Sequence, residues 1–194
     1  MAQFLPEAKD FGVSLNQFNM KNIALVAHDG RKSELLEWIK YNHKILEGCN
    51  LYATGTTGKL IKNLEISTDV REESVLLDDT VSSMVANGNY VITTKPFTNN
   101  TTPLLSGPLG GDQQIGAMIA EGKIDCLIFF CDNLITQGHQ QDVSALTRLA
   151  ALYNIAFATN RTTADMIITS PLFRDDSYER VVPGVIEKYK NRQL

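Results

Sequence analysis

Cysteine, basic residues and long apolar runs are scarce in this sequence, and each shortage argues against a class of protein. The three cysteines, Cys49, Cys126 and Cys131, form no CxxC pair, so we expect reduced thiols and no disulfide framework. No apolar run reaches membrane-spanning length, and the N-terminus lacks a basic region followed by an apolar block. The formal net charge of -4 disfavours nucleic-acid and membrane-surface partners. We therefore expect a cytoplasmic protein.

The sequence does contain a regular alternation of short apolar runs and segments with helical periodicity. Its 194 residues, 43% of them hydrophobic, suffice for one domain with a sizeable core. Alternating strands and helices predict the α/β class, with a doubly wound parallel sheet of five strands. The predicted strands are 23–27, 50–53, a third ending at 104–105, 124–131 and 155–159; the predicted helices are 32–46, 59–64, 113–121, 142–153 and 162–169.

One block interrupts this alternation. Residues from about 67 to about 102 include apolar runs on either side of Asn87-Gly88, a pair typical of a tight β-hairpin turn. We interpret the block as an insertion between the second helix and the third strand. The predicted organisation is an N-terminal extension at 1–21 and an α/β domain at 22–194 that carries this insertion.

The stretch YATGTTGK, residues 52–59, ends in Gly-Lys but is not a nucleotide-binding P-loop. Only two residues separate Gly55 from Gly58, and Leu60 follows the lysine where a P-loop has a hydroxyl. Threonines and glycines at a strand-to-helix turn do favour an anion, although such residues also serve simply as helix caps. Lys32 and the pair Ser106-Gly107 follow neighbouring predicted strands, so the three turns together predict a phosphate site at the carboxyl edge of the sheet.

Four acids and two histidines are predicted at the same edge: Asp29, Asp112, Asp132, Asp142, His28 and His139. Each alone has an ordinary explanation, such as a helix cap or a solvated side chain. Together beside a phosphate site they suit proton transfer on a phosphorylated substrate. The spacing of Cys131, Asp132 and His139 matches no standard zinc pattern, and no GxSxG hydrolase elbow is present.

Four stretches together resemble the methylglyoxal synthase family. They are IALVAHDGRK at 23–32, LYATGTTG at 51–58, LLSGPLGGDQQIGAMIAEGKIDCLIFF at 104–130 and HQQDVSALTRLAALYNIAFATNRTTADMIITSPLF at 139–173. The resemblance implies a Rossmann-like fold, a homohexamer, and conversion of dihydroxyacetone phosphate to methylglyoxal and inorganic phosphate without cofactor or metal. Phosphate is then also an expected inhibitor. The inserted block is longer than the family's usual link, and Asp132-Asn133 stands where the family has Asp-Pro.

The resemblance also implies roles for individual residues. Asp112 would be the general base, taking a proton from the substrate carbon that bears the phosphate ester. His139 would hydrogen-bond the substrate's carbonyl and enediolate oxygens, and Asp142 would orient the site and handle protons. Asp29 belongs to the same catalytic group. The implied substrate- and phosphate-binding residues are His28, Lys32, Thr54, Gly55, Thr56, Thr57, Ser106, Gly107 and, from a neighbouring subunit, Arg192.

Two other functions remain open at this stage. A regulatory module of the same fold, as in carbamoyl phosphate synthetase, would bind a small ligand without chemistry; it needs the phosphate site but not Asp112, His139 and Asp142 together. A triose phosphate isomerase or aldolase-like activity would share the substrate and the proton abstraction. The identity of the product separates this third activity from the first.

Overall fold

The fold is built around a parallel sheet of five strands in the order β6-β2-β1-β7-β8. The structure is a computed structural model, and it describes residues 20–71, 83–86, 90–132 and 140–192. Its strands are β1 (Asn22–Ala27), β2 (Asn50–Ala53), β3 (Glu65–Arg71), β4 (Ser83–Ala86), β5 (Tyr90–Pro96), β6 (Asn100–Pro103), β7 (Cys126–Phe130) and β8 (Ala156–Ala158). Its helices are α1 (Lys32–Tyr41), α2 (His43–Leu46), α3 (Gly55–Lys62), α4 (Gly111–Ala120), α5 (Gln140–Leu152), α6 (Arg161–Thr169) and α7 (Gly184–Lys190).

The strand order creates a switch point beside β1. The chain runs outward from β1 through β2 to β6 on one side and through β7 to β8 on the other. Ile23 of β1 pairs in parallel with Leu51 of β2 and with Cys126 of β7. Loops leaving β1 and β7 therefore diverge over opposite faces of the sheet and leave a crevice at its carboxyl edge, where ligands of such folds bind.

Helices cover both faces of the sheet, which confirms the doubly wound α/β prediction. On one face, alternate residues of β1 and β7 pack with α1, α3 and α6 in a cluster that includes the fully buried Trp38. On the other face, the intervening residues pack with α4 and α5, as at Ile115 and Leu146. Burial on both sides explains the continuous apolar run of β7.

The third strand of the sheet is polar, and its predicted position was wrong. It is Asn100–Pro103 rather than a strand ending at Leu104-Leu105. Its side chains need less burial because β6 is an edge strand, which among the described strands pairs with β2 alone. An amide ladder ties its start to the sheet: Asn100 Nδ2 donates to Asn50 Oδ1 at 2.6 Å, and Asn50 Nδ2 donates to Asn22 Oδ1 at 2.9 Å.

The interrupting block forms a second, antiparallel sheet of order β3-β5-β4. The strands expected on either side of Asn87-Gly88 are confirmed as β4 and β5, with Ala86 opposite Tyr90. The turn itself lies outside the described residues. The second sheet spans Glu65–Pro96, so residues 100–102 of the predicted insertion belong to the main sheet instead. The division into an extension at 1–21 and a domain at 22–194 stays a prediction.

Helix ends differ from their predicted positions in ways that matter for the site. Helix α3 begins at Gly55, four residues before the predicted start, so most of GTTG forms its first turn. The C-terminal helix α7 was not predicted. None of the helices in the described ranges combines the length and apolar content needed to span a bilayer.

Candidate active site

A cleft of about 390 Å³ opens at the carboxyl edge of the sheet, at the switch point between β1 and β7. The ends of β1 and β7 form part of its walls. The connections that follow β1, β2 and β6, with the first turns of the helices after them, form the rest. The lining residues are Val26, Ala27, His28, Asp29, Lys32, Thr54, Gly55, Thr56, Thr57, Ser106, Gly107, Pro108, Asp112 and Phe129. The structure thus brings together the predicted residues of three separate turns, while their roles stay predictions.

The first turn of α3 forms one wall of the cleft. Thr54 stands at the N-cap position, but its side chain makes no capping hydrogen bond. The backbone N–H groups of Thr56 and Thr57 lie in the first turn, where a helix offers them no acceptor. The hydroxyl of Thr57 is buried, with the residue 1% exposed, and has no hydrogen-bond partner among the described residues. These donors, with the positive end of the helix dipole, favour an anion.

Gly55 joins this wall to the loop after β6. Its backbone N–H donates to Leu105 O at 3.0 Å, and its φ is +44°, in the left-handed region. A Cβ at this position would lie 2.7 Å from both Cα and Cβ of Ser106. Only glycine therefore allows the two turns to approach so closely, and this contact places Ser106 and Gly107 opposite the threonines.

Lys32, the first residue of α1, supplies the ammonium group that lines the cleft. Its Nζ donates to Thr56 Oγ1 and to Asp29 Oδ1, each at 2.5 Å. The Asp29 side chain is 92% exposed, so this member of the predicted catalytic group lies at the rim. The hydrogen bond from Lys32 and its charge lower the pKa of Asp29 below the usual 3.8. Asp29 thus lines the cleft at its exposed rim and contacts Lys32 there, while its predicted catalytic role stays a prediction.

Asp112, the second residue of α4, is the buried carboxylate of the cleft. The residue is 5% exposed, and its carboxylate lies against the backbone of Gly107. A Cβ on Gly107 would stand 2.9 Å from Asp112 Oδ2. The glycine therefore leaves the space that the carboxylate occupies beside the anion site.

The ring of His28, at the end of β1, is positioned by a hydrogen bond and by an aromatic contact. The backbone N–H of Asp132 donates to its Nδ1 at 2.8 Å, which assigns the proton of a neutral ring to Nε2. Its ring meets Phe129 edge-on, with centroids 5.2 Å apart. The sequence predicts Asp132 only as one of several acidic residues at this edge of the sheet. Its backbone contact with His28 could not be recognised from spacing along the chain.

Three predicted site residues are not brought to this cleft by the described structure. His139 lies outside the described residues, and so does the side chain of Asp142, whose backbone belongs to the first turn of α5. Arg192 is exposed near the C-terminus, with its guanidinium 6.0 Å from the ring centroid of Tyr189. It does not line the cleft of its own chain.

The thiols are poor candidates for nucleophiles. Burial raises the pKa of Cys49 and of Cys131 to about 11 and that of Cys126 to about 12. All three are free and buried. Within the described ranges, no three His, Cys, Asp or Glu side chains are grouped so as to hold a metal ion.

This arrangement suits proton abstraction from a small phosphorylated molecule. The first turn of α3, Lys32 and the Ser106-Gly107 turn can hold a phosphate, and the buried carboxylate of Asp112 borders the same cleft. A base and an anion site in one partly enclosed cleft fix a substrate by its phosphate with a carbon near the base.

Comparisons with known proteins agree with this interpretation. The sequence profile of the MGS-like domain family matches residues 34–159. The methylglyoxal synthase of Maridesulfovibrio salexigens is 48% identical over 157 residues, which cover 81% of this chain and 88% of that protein. The methylglyoxal synthase of Photorhabdus laumondii is 44% identical over 174 residues, covering 90% and 92%. A crystal structure of methylglyoxal synthase from Elizabethkingia anophelis NUHP1 superposes with a TM-score of 0.65 at 36% identity, covering 90% of this chain and 93% of that one.

Proposed function

The chain belongs to the methylglyoxal synthase family, and we propose that it is a carbon–oxygen lyase that converts dihydroxyacetone phosphate to methylglyoxal and inorganic phosphate. The observation that carries this proposal is the buried carboxylate of Asp112 beside an anion site in one cleft. The substrate has the two groups that such a cleft would use. It has a phosphate to be held and an acidic C–H next to a carbonyl.

The phosphate ester binds at the first turn of α3. The N–H groups of Thr56 and Thr57 and the buried Thr57 hydroxyl donate to its oxygens, and Lys32 supplies a full positive charge. Ser106 and Gly107 close the other side. Charge-assisted hydrogen bonds in a partly buried cleft favour a dianion over neutral ligands. They also hold it in one orientation.

Asp112 acts as the general base, and the electron balance identifies the proton that it removes. Removal from the hydroxymethyl carbon gives an enediolate over that carbon and the carbonyl carbon. The hydroxymethyl oxygen then passes its proton to a second base, a role that Asp142 takes on the family pattern, and becomes an aldehyde oxygen. A double bond forms between the carbonyl carbon and the ester carbon, and the C–O bond to phosphate breaks with its electron pair leaving on phosphate.

The resulting enolate takes a proton on the former ester carbon and becomes methylglyoxal. The abstracted proton therefore comes from the hydroxymethyl carbon. The assignment to the carbon that bears the phosphate ester, given above with the family resemblance, is wrong. A carbanion on the ester carbon would place the negative charge on the carbon that must lose phosphate, from which no such elimination proceeds.

The enediolate needs donors because a carboxylate is a weak base for a carbon acid. His28, with its proton assigned to Nε2, is one donor that lines the cleft. On the family pattern His139 hydrogen-bonds the same oxygens, and Asp142 orients that site and handles protons. Asp29 holds Lys32 in place at the rim.

Product analysis tests the proposal against its two alternatives. Purified protein is given dihydroxyacetone phosphate, and methylglyoxal, inorganic phosphate and glyceraldehyde 3-phosphate are measured together. Equal release of methylglyoxal and phosphate, with a loss of about 10²- to 10⁴-fold in the Asp112→Asn variant, supports the lyase. The matched control is Glu121→Gln, an exposed carboxylate just beyond α4, which leaves turnover unchanged. Binding without products would favour the sensor module, and glyceraldehyde 3-phosphate would favour an isomerase.

The family pattern also implies a homohexamer in which Arg192 reaches the phosphate of a neighbouring subunit. Its exposure and its absence from the cleft of its own chain are compatible with a role in trans. Mixed oligomers test this directly. When Asp112→Asn and Arg192→Ala subunits are co-expressed, some sites receive both intact residues, so activity rises well above either parent. A mixture no more active than the average of its parents would contradict the arrangement. The proposal places the enzyme in the cytoplasm, where its three thiols stay reduced.

A further inference from the structure

A second groove, of about 640 Å³, lies at the opposite edge of the main sheet. Its lining includes Lys21, Asp125 and Ile155. These residues immediately precede the first residues of β1, β7 and β8, respectively. The groove is therefore at the amino ends of the strands, whereas the cleft with Asp112 is at their carboxyl ends. We call it the amino-edge groove.

The segment between α6 and α7 forms the outer wall of the amino-edge groove. Two side-chain hydrogen bonds fasten this wall to the sheet. Arg180 Nη1 donates to Ile124 O at 3.1 Å, and Asn154 Nδ2 donates to Val181 O at 2.9 Å. Asn154 itself has a φ of +51°, a conformation that asparagine tolerates better than most residues. The wall is thus positioned by specific contacts to the segments that precede β7 and β8.

Arg180 carries a donor whose partner is missing from the described part of the chain. Its Nε is buried and makes no hydrogen bond there, while Nη1 is held by the carbonyl of Ile124. The guanidinium edge that contains Nε is the edge that binds a carboxylate or phosphate side-on. A buried N–H without an acceptor is unfavourable, so this edge fits an acceptor supplied by a ligand.

The other charged side chains around the groove determine which kind of anion it favours. Lys21 adds a second positive charge to the lining, but Asp125 and Glu179 add two negative ones. The Asp125 carboxylate is already engaged, since its Oδ2 accepts from the backbone N–H of Asn22 at 2.9 Å. Two acids in the lining repel a dianion more than a monoanion. A singly charged group therefore suits Arg180 better than a phosphate does.

The remaining walls are largely apolar, with Ile155, Ile167, Phe173 and Val182 among them. A groove of this volume with one fixed cationic anchor is typical of small-molecule sites. We propose that the amino-edge groove binds a small monocarboxylate with a hydrophobic body, whose carboxylate pairs with the Nε edge of Arg180.

The probe for this site is 4-fluorobenzoate, observed by fluorine NMR on the full-length protein. It is titrated in the presence of saturating inorganic phosphate, which occupies the active-site cleft. We expect saturable binding that phosphate does not displace. The Arg180→Lys variant keeps the charge and loses the planar edge, so binding weakens by about tenfold. The matched control Arg174→Lys, an exposed arginine outside the groove lining, binds as the wild type does.

Three results would overturn the proposal. They are displacement of the probe by phosphate, binding that does not saturate, and equal affinity of the Arg180→Lys and wild-type proteins. Phosphate competition needs no variant, so it decides the question even if Arg180→Lys proves unstable. The thermal midpoint and lyase activity of each variant are measured alongside. Arg180→Lys is expected to retain lyase activity, because the groove and the cleft lie at opposite edges of the sheet.

Discussion

The carboxylate of Asp112 lies against Gly107, so close that a Cβ on the glycine would stand 2.9 Å from Asp112 Oδ2. The loop after β6 therefore shapes the position of a side chain on α4. This contact links the anion site and the proposed base, because Gly107 belongs to one and touches the other.

Replacement of Gly107 by alanine is expected to displace the Asp112 carboxylate while leaving the fold intact. A displacement of about 1 Å at a reacting group costs on the order of 10²-fold in turnover. Steady-state kinetics with dihydroxyacetone phosphate and thermal melting give the two readouts. Gly184→Ala is the matched control, since a Cβ there meets no atom within 4 Å. Wild-type turnover in Gly107→Ala would show that the carboxylate position is not critical.

Replacement of Thr57 by valine removes a buried hydroxyl that has no partner among the described residues. Phosphate affinity is expected to fall by about tenfold or more, because hydrogen bonds to charged groups contribute about 1.5–3 kcal/mol. The free protein should keep or gain stability, since an unsatisfied polar group is lost. Calorimetric titration with phosphate and thermal melting check both effects. The control is Thr169→Val, whose hydroxyl donates to Asp165 O within its own helix; unchanged phosphate affinity in Thr57→Val would contradict the assignment.

Replacement of Asp29 by asparagine should tighten phosphate binding, by about two- to fivefold, because Lys32 loses a competing carboxylate. Turnover should change little, since the Asp29 side chain lies at the exposed rim. The control is Glu34→Gln, which removes a similar ion pair with Arg31 outside the cleft lining. A large loss of turnover would instead give Asp29 a direct part in the chemistry.

The same ion pair has a defined pH dependence. Because the pKa of Asp29 is lowered below 3.8, the carboxylate stays ionised at neutral pH. The contribution of the pair is lost only as pH falls through that lowered pKa. Phosphate affinity of the wild type and of Asp29→Asn should therefore run parallel above about pH 5. A divergence between pH 5 and pH 8 would contradict this.

The three thiols should react with Ellman's reagent only after unfolding. Burial raises their pKa values to about 11 or 12, so little thiolate exists at pH 8. Native protein should show slow labelling with unchanged lyase activity, and denatured protein should show all three thiols. Rapid loss of activity in the native state would place a reactive cysteine at the site.

Local patterns in the sequence predicted most of the fold. The continuous apolar run of β7 is typical of a buried strand, and the apolar residues of α5 recur at helical spacing. Both patterns can be recognised from the sequence. The position of the polar edge strand β6 was predicted wrongly, since its stability comes from pairing with β2 and from the ladder of Asn22, Asn50 and Asn100. Such contacts join residues far apart in the chain and leave no periodic signal.

Sequence patterns were enough to identify the residues that could form the site. The GTTG turn, the Ser106-Gly107 pair, Lys32 and Asp112 each follow a predicted strand or open a helix. How these residues face one another is known only from the folded structure. In that structure the exposed Asp29 carboxylate accepts from Lys32, and the Asp112 carboxylate lies against Gly107. The backbone N–H of Asp132 donates to the ring of His28. These relationships depend on distances between loops that come together only when β1, β2, β6 and β7 align in the sheet. Packing across the sheet sets both the direction of each side chain and the approach of the loops.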